Sequence, residues 1–375
     1  MIYLDNAASA PVRPRALAAA MPFLADNFAN PSSLHTLGRS ARLALEEARE
    51  QCAEALGALP EEIFFTSGGT ESDNLAIFSA LGSQKRRIVT TQTEHPAVLS
   101  ACKELGRRGF EVVRIAPDGD GIIRAEDAAA AIDANTALVS VMAANNETGT
   151  LQPFAEIGAL CRERGVPFHT DAVQAVGNIP LDMRRLPVDM LSVSAHKIGG
   201  IKGAGLLYVR TGTPLSPIIF GGGQERGMRS GTENVAAAAA LGAAITEVCS
   251  DIPERQRRLS RLRDILIERL EKIPDSRLNG SRTERLCSNV NFSFANVDGE
   301  ALVMSLDLMG VCASAASACS AGKQRRSHVL TALGLHENML DGALRLTLSD
   351  CNTEQEILAA AEIVAECVSR QRNNR

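Results

Sequence analysis

Residues 88–115 read IVTTQTEHPAVLSACKELGRRGFEVVRI. A β-rich run at 88–91 gives way to a helical pattern at 96–108 and then to a second β-rich run at 111–115, the layout of a strand–helix–strand crossover unit. The same alternation extends outward. A strand pattern precedes it at 63–66, and helix 125–132, strand 138–143, helix 154–164 and strand 167–170 follow. From about residue 16 to residue 248 the chain therefore reads as an α/β fold with a mostly parallel central sheet and helices on both faces. Several of its most unusual polar sequences sit just after strands, where open α/β sheets place their ligands.

A helix at 236–249 is followed at 255–272 by heptad-like Leu and Ile spacing with arginines on the other face, which predicts a long amphipathic connecting helix. Beyond Pro274 the pattern changes to strand 289–294, helix 299–309, a small-residue loop at 313–322, strand 343–348 and helix 354–370. A large domain over 14–250 and a smaller α+β domain over 251–375, with 1–13 packing against the latter, are expected.

At 375 residues, with 45% hydrophobic and 22% charged residues, the chain can bury a sizeable core, which excludes disorder as its main state. Its 39 Lys and Arg against 44 Asp and Glu leave a net charge of −5, so no broad positive field exists to hold a nucleic acid. The opening MIYLDNAASAPVRP carries Asp5 where a secretory signal needs a basic and then an apolar stretch, and the longest apolar run, 235–245, is too short to span a bilayer. A cytoplasmic protein with no membrane partner is expected. Nine cysteines, odd in number and never in a C-x-x-C pair, indicate neither a disulfide framework nor a structural zinc site, and no metal is expected.

In FTSGGTESDN, Ser67, Gly68, Gly69 and Thr70 lie between strand 63–66 and a helix expected to begin near Glu71. Backbone N–H groups at such a helix start form an anion cradle, although the same residues would also suit a plain capped turn. HTDAVQA ends one strand with Asp171, and VSAHK ends the next with Lys197. A carboxylate and an amine at adjacent strand ends, beside an anion cradle, meet the needs of pyridoxal 5′-phosphate. In EHPAV, His95 follows strand 88–91, where an imidazole can lie on an aromatic cofactor and move protons. NNETG offers Asn145 and Asn146 as neutral donors. Cys319 sits in SAASACSAGK, a setting suited to a thiolate nucleophile, whereas Cys52 and Cys367 lie on helical patterns and read as structural. Arg345 in ALRLTL is placed either to grip a carboxylate or to stand as an exposed strand charge.

In this order the motifs resemble the pyridoxal-phosphate-dependent cysteine desulfurases of the NifS/IscS kind, within the class V aminotransferase superfamily and PLP-dependent transferase fold type I. The resemblance runs from YLDNAA at Tyr3 through NPSSLHTLG, SGGTESDN, EHPAV, NNETG, HTDAVQA, SAHK, GGGQERGMRSGTEN and SACSAG to RLTLSDCNTEQE, so it covers essentially the whole chain. It implies that Lys197 holds the cofactor as a Schiff base, Asp171 pairs with the ring nitrogen, and His95 stacks on the ring. Gln174 and Asn146 would bond the phenolic oxygen. Gly69, Thr70, Ser194 and His196 would hold the phosphate, with Thr232 reaching it from the other subunit of a homodimer. Arg345 and Asn146 would fix the carboxylate of L-cysteine. Cys319 would take the sulfur as a persulfide, alanine would leave, and an acceptor protein of iron–sulfur cluster assembly or thiolation would receive the sulfur.

The chain departs from that pattern at Ile201, where the family often has proline, at Ala316, where it has glycine, and at Ser349 and Asp350, where it has a glycine–basic pair. Lys202 is a second lysine near the site, and Lys197 is assigned on the S-x-H-K pattern. An aminotransferase or a selenocysteine lyase on the same fold would keep Lys197 and Asp171 without needing Cys319. A catalytically silent scaffold would be expected to lack Lys197 or Cys319, and both are present.

Overall fold

Alternate residues along the central strands divide between two apolar layers, which is what a sheet covered on both faces requires. Phe65, Val89, Val139, Leu191 and Leu206 enter one layer. Their chain neighbours Phe64, Ile88, Leu138, Met190 and Leu207 enter the other. The computed structural model describes residues 1–315 and 326–373. Residues 316–325, Cys319 among them, lie outside the described residues.

The chain opens with strand β1 (Ile2–Tyr3) and helices α1 (Pro14–Ala25) and α2 (Thr36–Leu56). The large sheet is built from β2 (Ile63–Thr66), β3 (Arg87–Thr91), β4 (Glu111–Ile115), β5 (Thr136–Ser140), β6 (Phe168–Asp171), β7 (Met190–Ser194) and β8 (Gly205–Val209) in the order β2-β8-β7-β6-β5-β3-β4. The pairs from β7 through β6, β5 and β3 to β4 are parallel, while β8 runs antiparallel to both of its neighbours. Helices α3 (Gly69–Phe78) and α4 (Pro96–Arg107) cover one face. On the other face α1 and α2 are joined by α5 (Ala125–Ala131), α6 (Phe154–Glu163) and α7 (Val235–Cys249).

Helix α8 (Ile252–Leu270) leaves α7 at a bend of 74°. It begins earlier than the leucine pattern predicts because the Asp251 side chain accepts the Glu254 N–H and Pro253 occupies the first turn. A separate apolar core joins α8 to β9 (Asn289–Phe294), α9 (Gly299–Leu308), β10 (Ala343–Thr347) and α10 (Glu354–Asn373). β9 lies between β10 and the short strand at Ser276–Leu278, antiparallel to both. The N-terminus belongs to this region: β1 pairs with Val311–Cys312, and Leu4 is completely buried there. The chain then crosses back, Ala10 N–H donating to His196 O and Arg13 N–H to Gly199 O, both at 2.8 Å. That return lays residues 5–10 over the C-terminal ends of β6 and β7.

The regular part of β5 is shifted against the expected 138–143, yet the hydrogen bonding continues: Val141 N–H donates to His169 O at 3.1 Å and Ala143 N–H to Asp171 O at 2.9 Å. Among the described residues no single helix is long and apolar enough to cross a membrane.

Candidate active site

The turn after β2 exists because three glycines allow close approach. Gly68 has φ +151°, a conformation that side chains disfavour. A Cβ on Gly69 would lie 2.7 Å from Val173 Cγ2, and one on Gly205 would lie 2.6 Å from Gly68 Cα. Helix α3 therefore starts at Gly69, two residues before the sequence pattern suggests, and Gly69 and Thr70 fall in its first turn, where N–H groups have no intrahelical acceptor. Beside them the Glu71 carboxylate accepts Ser67 N–H at 2.9 Å and Arg229 Nε–H at 2.8 Å, which ties this turn to the segment carrying Thr232.

Asp171 ends β6, and Lys197 follows β7 in a single 3₁₀ turn, Ala195–Lys197. β6 and β7 are parallel neighbours in register Asp171↔Ser192, so the acid and the amine rise from the same sheet edge. Lys197 Nζ donates to the backbone oxygens of Ala7 at 2.6 Å and Ala8 at 2.8 Å. Asp171 Oδ1 accepts Val173 N–H at 2.9 Å, so it fills the capping role as well as facing the site. His95 is the N-cap of α4, its Nδ1 accepting Ala97 N–H at 3.2 Å. That bond leaves the neutral ring's proton on Nε2. Burial first, then Lys197 and His328, push its pKa below the usual histidine value, against the pull of Asp171.

One ligand atom each from Asp73, His95 and Asp171 lie within 4.8 Å of one another. Burial followed by Asp171 raises the Asp73 carboxyl well above the ordinary range. Two buried carboxylates this close do not both ionise. Burial raises the Asp171 carboxyl too, but His95 and Lys197 oppose that rise, so of the two Asp171 ionises more readily and Asp73 is the one favoured to hold the proton. Behind them His169 sits between Ser140 Oγ (2.9 Å from Nδ1) and Ser192 Oγ (3.0 Å from Nε2), and burial lowers its pKa to about 3. Glu94, raised to about 8 by burial, accepts from Met142 N–H and the Thr91 hydroxyl. Asp73 and Glu94 were read in the sequence only as parts of SGGTESDN and EHPAV, and no local signal separates a buried acid from a solvated one.

A cavity of about 680 Å³ collects Gly69, Thr70, His95, Asn146, Asp171, Gln174, Ser194, His196, Lys197 and Arg345 in its lining. These are all of the expected single-chain site residues except Cys319, which lies outside the described residues. Gln174 Nε2–H donates to Ala7 O at 3.2 Å, and His196 Nδ1 lies 3.3 Å from Ser9 Oγ. Arg345 is 4% exposed and is no surface charge: its alternation with Leu344 and Leu346 turns it toward Asn291 and Ser314, its partners in register. Thr232 does not reach this cavity. It is exposed and lines a smaller recess of about 160 Å³ with Ser67, Gly203 and Arg229.

The model of the family described as aminotransferase class-V matches residues 2–359. The chain belongs to the aminotransferase class-V family. Within it, the chain is 48% identical over 375 residues to a cysteine desulfurase from Trichormus azollae, covering 99% of this chain and 94% of that one. Among solved structures it is similar to a NifS-like protein, with TM-score 0.92, 36% identity and coverage of 98% and 99% of the two chains. It is also similar to SspA in complex with cysteine, with TM-score 0.81, 36% identity and coverage of 93% and 99%.

Members of this class-V family use pyridoxal 5′-phosphate, and the residues fit that group. The glycine turn before α3 is a cradle that a Cβ at position 69 would disturb, its N–H groups suit a phosphate, and an anionic Asp171 and the Lys197 amine share the cavity with it.

Proposed function

We propose that the protein is a pyridoxal 5′-phosphate-dependent cysteine desulfurase that converts L-cysteine to L-alanine and takes the sulfur onto its own Cys319 as a persulfide. The observation that carries this reading is one cavity in which the Lys197 amine and the Asp171 carboxylate meet the Arg345 guanidinium, in a chain whose full-length relatives bear that activity's name.

Lys197 Nζ would hold the cofactor covalently and Asp171 its ring nitrogen, with His95 against the ring. Gln174 and Asn146 would bond its phenolic oxygen, and Gly69, Thr70, Ser194 and His196 its phosphate. When bound, the cofactor supplies an electron sink for the substrate carbon. Arg345 draws the substrate carboxylate to the far wall, with Asn146 beside it. The Lys197 amine, in the turn after β7, or His95 moves protons at the substrate carbon. Cys319 as thiolate attacks the substrate sulfur: an S–S bond forms, the C–S bond breaks, its electron pair stays with carbon, and protonation there gives alanine.

A homodimer is part of the same proposal. Thr232 is exposed and outside its own chain's cavity, free to serve the phosphate of a second copy. Leu17, Met21, Leu24, Phe28, Leu34 and Leu43 present an exposed apolar surface on the first two helices and the segment between them. The persulfide would be handed to an acceptor protein of iron–sulfur cluster assembly or of thiolation. The test is mass spectrometry after exposure of the holoenzyme to cysteine. One extra sulfur on the Cys319 peptide together with released alanine is expected; alanine without that modification would overturn the reading.

A further inference from the structure

Arg345 already has a carboxylate. Its Nη2 donates to Asp5 Oδ1 at 3.1 Å and its Nη1 to the backbone oxygen of Asn146 at 2.9 Å, while its buried Nε has no partner among the described residues. Asp5 is held as firmly as the arginine. The same Oδ1 accepts the Ser314 hydroxyl at 2.8 Å, the Asp5 backbone pairs with Thr347, and the Tyr3 hydroxyl donates to the Asp5 backbone oxygen at 3.3 Å. Asp5 and Arg345 line the same cavity as Lys197.

We propose that Asp5 is a specificity-determining residue, a built-in counter-carboxylate that weakens the grip of Arg345 on an incoming carboxylate and keeps that site exchangeable. The proposal rests on the reading that Arg345 takes the substrate carboxylate. Substrate and product of the proposed reaction carry the same carboxylate, so tight binding at this point favours neither the reaction nor release of alanine; it is uniform binding that turnover does not use. A buried guanidinium with no counter-charge would supply such tight binding. Asp5 offsets it, so an incoming carboxylate has to compete with Asp5 for the guanidinium. The same negative charge disfavours a second acidic group on the substrate, because like charges a few ångströms apart in a partly buried site repel.

The test is calorimetric titration of the holoenzyme with propionate, which has a carboxylate but neither amine nor thiol, and with propionamide as its uncharged counterpart. Asp5→Asn keeps an oxygen to accept from Arg345 and Ser314 and removes only the charge. The expected result is propionate binding tightened on the order of tenfold, with propionamide unchanged. Asp5→Ser gives the same direction should Asn disturb the N-terminal segment. Propionate affinity unchanged or weakened in both variants would show that Asp5 merely props the arginine, and the proposal would fall. Propionate affinity retained in Arg345→Gln would instead overturn the assignment of Arg345, and the proposal with it.

Discussion

Glu225 takes both terminal nitrogens of Arg49, each at 2.8 Å, in a pair whose side chains are 4% and 2% exposed. The same carboxylate accepts Phe65 N–H at 2.9 Å, one residue before the end of β2. Glu225 and Arg226 both have positive φ, 45° and 54°, a backbone that non-glycine residues hold only when their surroundings over-determine it. The buried pair thus fixes the segment leading to Arg229 and Thr232. Removing one partner leaves an uncompensated buried charge, so Arg49→Ala is expected to cost about 3–5 kcal/mol. Thermal unfolding of the single variant against Arg49→Met/Glu225→Leu checks this: the apolar double variant should recover most of the loss.

Glycine at 205 is expected to matter far more than glycine at 203. A Cβ on Gly205 meets the backbone of Gly68 and the Val193 carbonyl oxygen, both at 2.6 Å, and neither can yield without moving the turn at 67–69. Gly203 has φ +81° but open space around it. Gly205→Ala should destabilise by about 1–3 kcal/mol through overpacking and weaken cofactor retention, measured by equilibrium dialysis. Gly203→Ala should cost about 1 kcal/mol and leave retention near wild type.

The acidic groups give the fold a pH dependence that one variant isolates. Glu94 is neutral in the fold below its folded pKa of about 8, whereas in the unfolded chain it ionises near roughly 4.3. Between these values the folded state binds the extra proton, so this contribution to stability is full at low pH, declines as pH rises toward about 8, and is flat beyond. His169, lowered to about 3, works oppositely: its contribution is lost as pH falls through the unfolded value near roughly 6.5. Urea midpoints of the apoprotein from pH 5 to 9 should show the advantage of wild type over Glu94→Gln shrinking with pH up to about 8. A constant difference would mean that Glu94 is ionised throughout.

Elements governed by local pattern were legible, and pairings across hundreds of residues were not. The strands at Ile63–Thr66, Glu111–Ile115 and Asn289–Phe294 begin and end where their β-rich runs do. The helix after β2 starts earlier than its pattern predicts because its start is set by packing of Gly69 on Val173 and of Gly205 on Gly68, which no helical period records. Asp171 and Lys197 could be paired because crossover topology brings successive strand ends together. Asp5 could not: its partner Arg345 lies 340 positions away, and the Leu–Arg–Leu alternation around that arginine reads equally as a solvent face or as the polar wall of a site.

Asp73 provides the last prediction. Its carboxyl is buried beside Asp171, its Oδ1 has no hydrogen-bond partner among the described residues although His169 Nε2 lies 3.7 Å from it, and Asp171, Ser192 and Glu94 also act on it. If Asp73 carries the proton of the pair, an amide is nearly its equivalent in charge and shape. Asp73→Asn should therefore leave the absorbance spectrum of the holoenzyme and its pH titration within a few tenths of a unit of wild type. Asp171→Asn removes a negative charge that acts on both His95 and Lys197 and should shift the titration and weaken retention of the cofactor by tenfold or more, about 1.4 kcal/mol per decade. A large spectral shift in Asp73→Asn would place the negative charge on Asp73 instead and reverse the roles of the two acids.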